Sequence, residues 1–230
     1  MIARIGVVVP ARDEAELIGG ALDAIARAAA EVAVPVHVVV AADGCRDDTA
    51  RIARAHGADV VELPPSGVGA ARAAGADRAL AAGADWIAHT DADSEVPSDW
   101  LAEQLRMADL GADVLIGTVR PRFAELTPAQ VRAWLATHAA GQAIGHVHGA
   151  NLGTRASTYL RAGGYRPLIE HEDVDLVARM RPFAAVVETD VAEVVTSGRR
   201  VGRTAGGYAG YLREQLLALA AGEGTEDAAS

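Results

Sequence analysis

The chain has 230 residues, half of them hydrophobic, with 4% aromatics and a formal net charge of −10. That length suffices for one α/β domain whose core is built from Ala, Val, Leu and Ile. The negative charge argues against non-specific nucleic-acid binding and a polybasic membrane anchor. No apolar run reaches the ~18 residues of a membrane span, and Met1-Ile2-Ala3-Arg4-Ile5 lacks a signal-peptide layout. The reading is a soluble, cytoplasmic protein.

Ile5 to Val9 is a β-branched run bounded by Pro10 and predicts a buried strand. Asp13 and Glu14 open a helical pattern to about Ala30, with Leu17, Ile18, Leu22 and Ile25 on one face. A second strand is predicted over Val36 to Val40, a helix from Asp47 to about His56, and a third strand over Asp59 to Leu63. A Pro-Pro-Ser-Gly turn leads into a helix from Gly67 to about Ala82, then a fourth strand, Trp86 to His89. Strands alternating with helices at this spacing imply right-handed βαβ units and a mainly parallel sheet, with ligands at the carboxyl ends of the strands. Residues 10–14, 43–48 and 91–93 all fall at such ends.

Past Pro97 the pattern predicts a helix over Ser98 to Leu110, a strand over Asp113 to Val119, and a helix over Pro128 to Gln142. A short strand over Gly149 to Arg155, a short helix over Thr158 to Ala162, a helix over Glu172 to Met180 and a strand over Ala184 to Glu188 follow. Ser197 to Gly207 reads as an Arg- and Gly-rich loop, Tyr208 to Ala221 as an amphipathic helix, and 222–230 as a disordered acidic tail. No repeat or linker divides the chain.

Asp91-Ala92-Asp93 carries the clearest chemistry. In an extended backbone residues i and i+2 point to one side, so the two carboxylates converge at the strand's mouth. Their repulsion is relieved by a cation, and hard oxygen ligands suit Mg²⁺, Mn²⁺ or Ca²⁺. The same pattern also caps helices and fills turns. All 21 basic residues other than His are Arg, so phosphate recognition falls to Arg, backbone N–H groups or a metal. The single cysteine, Cys45, excludes an intrachain disulfide or a Cys-based zinc site.

Asp43 ends the second strand, where it serves either as an Asp-Gly turn residue or as an acceptor for the imino N–H of uracil, thymine or guanine. Gly67-Val68-Gly69-Ala70-Ala71-Arg72 opens a helix with a backbone that admits close approach and a fixed positive charge, without the third glycine of a dinucleotide fingerprint. Gly149-Ala150-Asn151 offers a close-packed backbone with one amide and reads first as structural. Glu170-His171-Glu172-Asp173-Val174-Asp175 concentrates carboxylates where a helix dipole favours them, and one of them can act as a general base. His146 and His148 alternate and read as ordinary polar residues or as a further metal ligand.

In order along the chain these segments resemble family 2 glycosyltransferases of the GT-A fold. The match runs through Val7-Val8-Val9-Pro10-Ala11-Arg12-Asp13-Glu14, Asp43-Gly44-Cys45-Arg46-Asp47-Asp48-Thr49, Gly67 to Gly75, Asp91-Ala92-Asp93, Gly149-Ala150-Asn151 and Glu172-Asp173-Val174-Asp175-Leu176, covering about residues 2–180. Ala42 stands where the family usually carries a first Asp, and Ala73 where it carries Asn.

The resemblance implies one GT-A domain over 1–221 with a mainly parallel mixed sheet, 1–96 forming the nucleotide-binding half and 97–221 the acceptor-binding half. It implies that Pro10, Arg12 and Glu14 line the nucleotide pocket, Asp43 holds the base, and Gly67, Arg72 and Asn151 contribute to the donor site. It further implies that Asp91 contacts the ribose or metal side, Asp93 binds Mn²⁺ or Mg²⁺, and Asp173 is the catalytic base supported by Glu172. Arg199 and Arg200 lie where related enzymes close a loop over the diphosphate. The implied reaction is inverting transfer from a nucleoside-diphosphate sugar, UDP-sugar first and GDP-sugar next, to a small-molecule or lipid-linked acceptor. The rivals are a nucleotidyltransferase, which usually places a Gly-rich basic loop after the first strand, a non-catalytic nucleotide-binding protein, and a retaining transferase on the same fold.

Overall fold

The structure, a computed structural model, describes residues 1–138 and 146–199 together with Gly210 and Leu212. Strands β1 (Ile5–Ala11), β2 (Val36–Asp43), β3 (Asp59–Leu63) and β4 (Trp86–His89) alternate with helices α1 (Ile18–Ala30), α2 (Thr49–Ala55) and α3 (Val68–Ala81). A two-residue strand β5 (Ser94–Glu95), helix α4 (Trp100–Asp109) and strand β6 (Val114–Pro121) follow, then a 3-10 turn over Phe123–Glu125 and helix α5 (Pro128–Thr137). Strand β7 (Leu152–Arg155), helices α6 (Ala156–Arg161) and α7 (Glu172–Met180), and strand β8 (Val186–Thr196) complete the described elements.

The eight strands form one sheet in the order β3-β2-β1-β4-β7-β6-β8-β5. Pairings β1–β2, β2–β3, β1–β4 and β6–β8 are parallel, while β4–β7, β6–β7 and β5–β8 are antiparallel. The sheet is therefore continuous across the boundary between the two predicted halves. Along β1 the pleat sends Val7 and Val9 into a core with Ile18, Leu22 and Ile25 of α1 and Trp100 and Leu101 of α4. It sends Val8 to the other face, with Ala76 and Ala79 of α3 and Leu176, Val177 and Met180 of α7. Burial on both faces explains why these strands read as unbroken apolar runs. Gly6 lets α3 sit close, because a Cβ there would lie 2.5 Å from Ala79 Cβ and 3.0 Å from Ala84 Cβ.

Several boundaries differ from the sequence reading. Helix α1 begins at Ile18, because Glu14 O accepts from both Leu17 N and Ile18 N in a preceding turn. Strand β7 starts at Leu152 and α6 at Ala156. Strand β8 runs on to Thr196, past the predicted end at Glu188, across a register shift opposite Gly117 and Val119. Ala192 there has φ 59°, the left-handed conformation of a bulged residue, which breaks the side-chain alternation. The predicted end of the helix after Pro128, Arg200 and the rest of the Arg-rich loop, and the tail 222–230 lie outside the described residues, as does the last helix apart from Gly210 and Leu212.

Candidate active site

The carboxyl ends of β1, β2 and β4 open on one edge of the sheet. Two guanidinium groups organise the carboxylates gathered there.

Arg72, in the first half of α3, is 2% exposed. Its Nε donates to Glu172 Oε1 at 2.9 Å, Nη1 to the Gly149 carbonyl at 2.9 Å and Nη2 to Asp91 Oδ1 at 2.6 Å. Burial alone would favour losing its proton, but the surrounding carboxylates, Asp91 foremost, hold it charged. Arg72 thus joins the predicted D-x-D, G-x-N and E-D segments at one point. Its nitrogens are turned to protein acceptors inside the fold. Burial raises Glu172's carboxyl above its ordinary range and Asp173's charge adds to this, with Arg72 opposing.

Asp173, beside Glu172 in the first turn of α7, is only partly buried. Its Oδ2 accepts from Gly149 N at 2.6 Å and its Oδ1 from Val174 N at 2.8 Å. Of the two adjacent acids, Glu172 is committed to Arg72 and Asp173 retains access to solvent. His171 precedes them with φ 59°, a left-handed turn that starts the helix here.

The second guanidinium is Arg199. Its Nη1 and Nη2 donate to Glu14 Oε2 and Oε1 at 2.9 and 2.7 Å, and Nη2 also lies 3.0 Å from Asp93 Oδ2. Its proton is held more tightly than usual. Burial opposes this, but the Glu14 hydrogen bonds and the charge of Asp93 outweigh it. Asp93's carboxyl is pushed up to about 6, chiefly by burial and then by Asp91, with Arg199 pulling the other way. Thr196 Oγ1 lies 3.4 Å from Asp93 Oδ1, and Ser94 Oγ donates to Thr196 Oγ1 at 2.8 Å, so β5 and β8 brace the D-x-D loop.

Asp43 is buried at the end of β2. Its Oδ1 accepts from Ser66 N at 2.6 Å and its Oδ2 from Gly67 N at 3.1 Å, with Arg12 Nη1 at 3.8 Å from Oδ2. This carboxylate therefore clamps the turn into α3. Gly67 there has φ +91°, open to glycine and strained for other residues. Pro10 is half-buried on β1 and Arg12 is exposed beyond it. At Gly69 the close approach is made by the protein itself, because a Cβ would fall 2.6 Å from the Leu168 carbonyl oxygen.

Asn151, expected at the donor site, is 1% exposed. Its Nδ2 donates to the Thr118 and Ala192 carbonyls at 2.9 and 3.1 Å, and its Oδ1 accepts from Trp100 Nε1 at 2.9 Å. It satisfies backbone at the bulge between β6 and β8. The His146 and His148 rings stack with centroids 6.2 Å apart. Burial lowers His148 to about 4, keeping it neutral, against the opposing pull of Asp173.

Sequence reasoning missed the pairing of Glu14 with Arg199 and the anchoring of the Arg199 loop. Ser197 Oγ and Gly198 N donate to Glu125 Oε2 at 3.0 and 2.7 Å, and Ser197 N donates to the Asp93 carbonyl at 3.1 Å. The available signal was three arginines in one loop of an acidic chain. A further group, Asp13, Cys45 and Asp47, has ligand atoms within 4.8 Å of one another, as a metal site would require. These groups also hold their own loop: Asp13 Oδ1 accepts from Arg46 N at 2.7 Å, Asp47 Oδ2 from Ala15 N at 3.0 Å, and Cys45 Sγ donates to the Ala11 carbonyl at 3.3 Å. No helix among the described residues is long and apolar enough to cross a membrane.

A half-parallel sheet with carboxylates gathered at its strand ends is the arrangement of GT-A nucleotide-sugar enzymes. The family model for glycosyl transferase family 2 matches residues 6–160, and the chain belongs to that family. Among curated proteins it is 44% identical over 57 residues to 4,4'-diaponeurosporenoate glycosyltransferase of Staphylococcus aureus, covering 25% of this chain and 14% of the relative. Among solved structures it resembles S. aureus TarS 1-349, with TM-score 0.66, 17% identity, and coverage of 96% of this chain and 65% of that one. It also resembles the mannosyltransferase PcManGT from Pyrobaculum calidifontis in complex with GDP-Man and Mn²⁺, with TM-score 0.63, 22% identity, and coverage of 96% and 64%. For M. tuberculosis glucosyl-3-phosphoglycerate synthase the values are 0.60, 21%, 94% and 78%. The chain thus spans a small part of the curated relative and just under two thirds of the TarS chain. At these identities the structural likeness defines the fold.

Proposed function

We propose that this chain transfers a sugar from a nucleoside-diphosphate sugar to an acceptor hydroxyl, with inversion and with a divalent cation, and that Asp173 is the general base. The observation that carries the reading is the Arg72 junction, which ties Asp91 of the D-x-D loop, Gly149 and Glu172 beside Asp173 into one buried unit. A fixed spacing between donor site and base is what an in-line displacement requires.

Asp93 and Asp91, with Glu14 close to Asp93, offer the all-oxygen set that suits Mg²⁺ or Mn²⁺, and burial pushes Asp93's carboxyl up to about 6. When bound, the cation offsets the charge that develops on the leaving nucleoside diphosphate. Arg12 and Asp43 sit at the β1 and β2 mouth where the base would lie. Among donors UDP-sugar is placed first and GDP-sugar second, and solved relatives hold each kind.

The acceptor oxygen attacks the anomeric carbon from the face opposite the diphosphate as its proton passes to Asp173. The bond from carbon to the diphosphate oxygen breaks, and its electron pair leaves with the diphosphate. Glu172, bound to Arg72, keeps α7 and therefore Asp173 in place. The acceptor is proposed to be a small molecule or a lipid-linked hydroxyl.

A thermal-shift panel of UDP, GDP and their sugars, with and without Mn²⁺, tests the donor site. Stabilisation by one nucleotide that grows with metal is expected. Its absence across the panel would sink the reading. For the base, Asp173→Asn is expected to lower turnover by about 10²-fold or more while donor affinity stays near that of the parent. Retained turnover would remove Asp173 from the role.

A further inference from the structure

We infer that Arg199 is a displaceable internal counter-ion that occupies the cation's place between Glu14 and Asp93, so that cation and guanidinium exclude each other there. The inference rests on the donor-site reading and concerns what balances the carboxylates of that site.

Three contacts define the place. The guanidinium makes a two-pronged pair with Glu14, at 2.9 and 2.7 Å, and the same Nη2 lies 3.0 Å from Asp93 Oδ2. A cation of the Mg²⁺ class bonds carboxylate oxygens at about 2.0–2.1 Å, well inside these distances. It cannot enter between Glu14 and Asp93 while the planar group stands there. Both carboxylates are deep, with side chains 7% and 13% exposed, so removal of Arg199 without a replacement would leave two like charges facing each other. Glu14 and Asp93 are thus held apart at the spacing of a guanidinium. The compact three-ligand group among the described residues is instead Asp13, Cys45 and Asp47.

The backbone on either side is pinned. Glu14 N donates to Thr49 Oγ1 at 2.8 Å. Ser197 and Gly198 are held by Glu125 Oε2, and Arg199 N donates to Ser197 Oγ at 3.2 Å. Exchange therefore requires rotation of the Arg199 side chain about a fixed attachment. The released guanidinium would stay within its own length of the site, in reach of a diphosphate bound with the cation. One residue thus balances the carboxylates and, once displaced, is available to phosphates.

The test is a Mn²⁺ titration of the full chain with free Mn²⁺ read by electron paramagnetic resonance, first without nucleotide and then with UDP or GDP. Without nucleotide, Arg199→Met is expected to bind Mn²⁺ about tenfold more tightly than the parent. With nucleotide present, that advantage should shrink or reverse, because the variant lacks the phosphate contact. Glu125→Gln, which loosens the anchor and leaves the carboxylates intact, should shift Mn²⁺ affinity in the same direction by less. Adding Asp93→Asn to Arg199→Met should abolish the gain. Unchanged or weaker Mn²⁺ affinity in Arg199→Met, when the parent binds Mn²⁺ with nucleotide, overturns the inference and leaves the donor-site reading standing. A gain that survives Asp93→Asn places the ion elsewhere and also overturns it. Failure of every protein to bind UDP or GDP, with or without metal, removes the donor-site reading itself and this inference with it.

Discussion

Replacing Arg72 by Met keeps most of the side-chain volume and removes the charge and its donors. In the parent those donors reach Glu172, Gly149 O and Asp91, and Glu172 itself is 5% exposed. Breaking a buried ion pair by removing one partner costs about 3–5 kcal/mol, because the remaining carboxylate loses its compensation without regaining water. Asp91 adds less, since its side chain is 35% exposed and can be rehydrated. The expected loss is about 4 kcal/mol, or on the order of 10 °C in melting temperature for a chain of this size. Urea unfolding of Arg72→Met, Glu172→Gln and the double variant measures it. Glu172→Gln removes the stranded charge, so the double variant should recover about 1–2 kcal/mol relative to additivity. A loss below about 1 kcal/mol in Arg72→Met, or strict additivity, would refute the view that Arg72 is the buried junction of the site.

Three further predictions concern stability. Gly6→Ala places a Cβ 2.5 Å from Ala79 Cβ and 3.0 Å from Ala84 Cβ, neither of which can rotate away, and is expected to destabilise by about 1–3 kcal/mol. Gly20→Ala, in α1 with nothing within 4 Å of the new Cβ, should stabilise by about 0.5–1 kcal/mol, and a matched pair of urea curves checks both signs. His148 is lowered from 6.5 to about 4 by burial, with His146 and His138 adding to the effect and Asp173 opposing it. The unfolded chain therefore takes up this proton first, so stability is full above pH 6.5 and falls as the pH drops toward 4. His148→Gln should flatten the decline between pH 7.5 and 5.5 by on the order of 1 kcal/mol, and an unchanged slope would show that His148 is not held neutral.

The doubly buried strands β1, β2 and β4 were legible because both faces are apolar and pattern and burial agree. Strand β8 was cut short in the reading because Glu188, Asp190 and Glu193 sit among its valines and the left-handed Ala192 shifts the alternation midway. Strand β5 is two residues long and carries no pattern of its own; it exists because Ser94 and Glu95 pair with Thr196 and Val195. The site shows the same limit. The residue types and order of the motifs identified which side chains carry charge at the strand ends. They did not show which charges meet, because Arg72 finds partners 19, 77 and 100 residues away and Arg199 reaches back 185 residues to Glu14. A buried polar group with its partners close by in space and far off in sequence looks, in one dimension, the same as a group awaiting a substrate.

The two acids of the D-x-D loop, alike in sequence, are set apart by their arginines. Asp91 is paired with a guanidinium that is buried, shared with Glu172 and Gly149, and fixed on a helix packed against the sheet. Exchange of that partner would unmake the junction, so Asp91 is constrained in its pairing though partly exposed. Asp93 is the more buried of the two, yet its partner is a single long side chain at the end of β8, shared with Glu14 and partly open to solvent. Its carboxyl is pushed up to about 6, which means that the available positive charge does not offset its burial and its neighbours. In the proposed reaction a cation entering this loop meets Asp93, whose burial its guanidinium partner does not fully offset. Without lysine, the chain meets both needs with Arg. The planar, many-donor group serves as a fixed three-way tie when buried, and as an exchangeable counter-charge when attached at an edge.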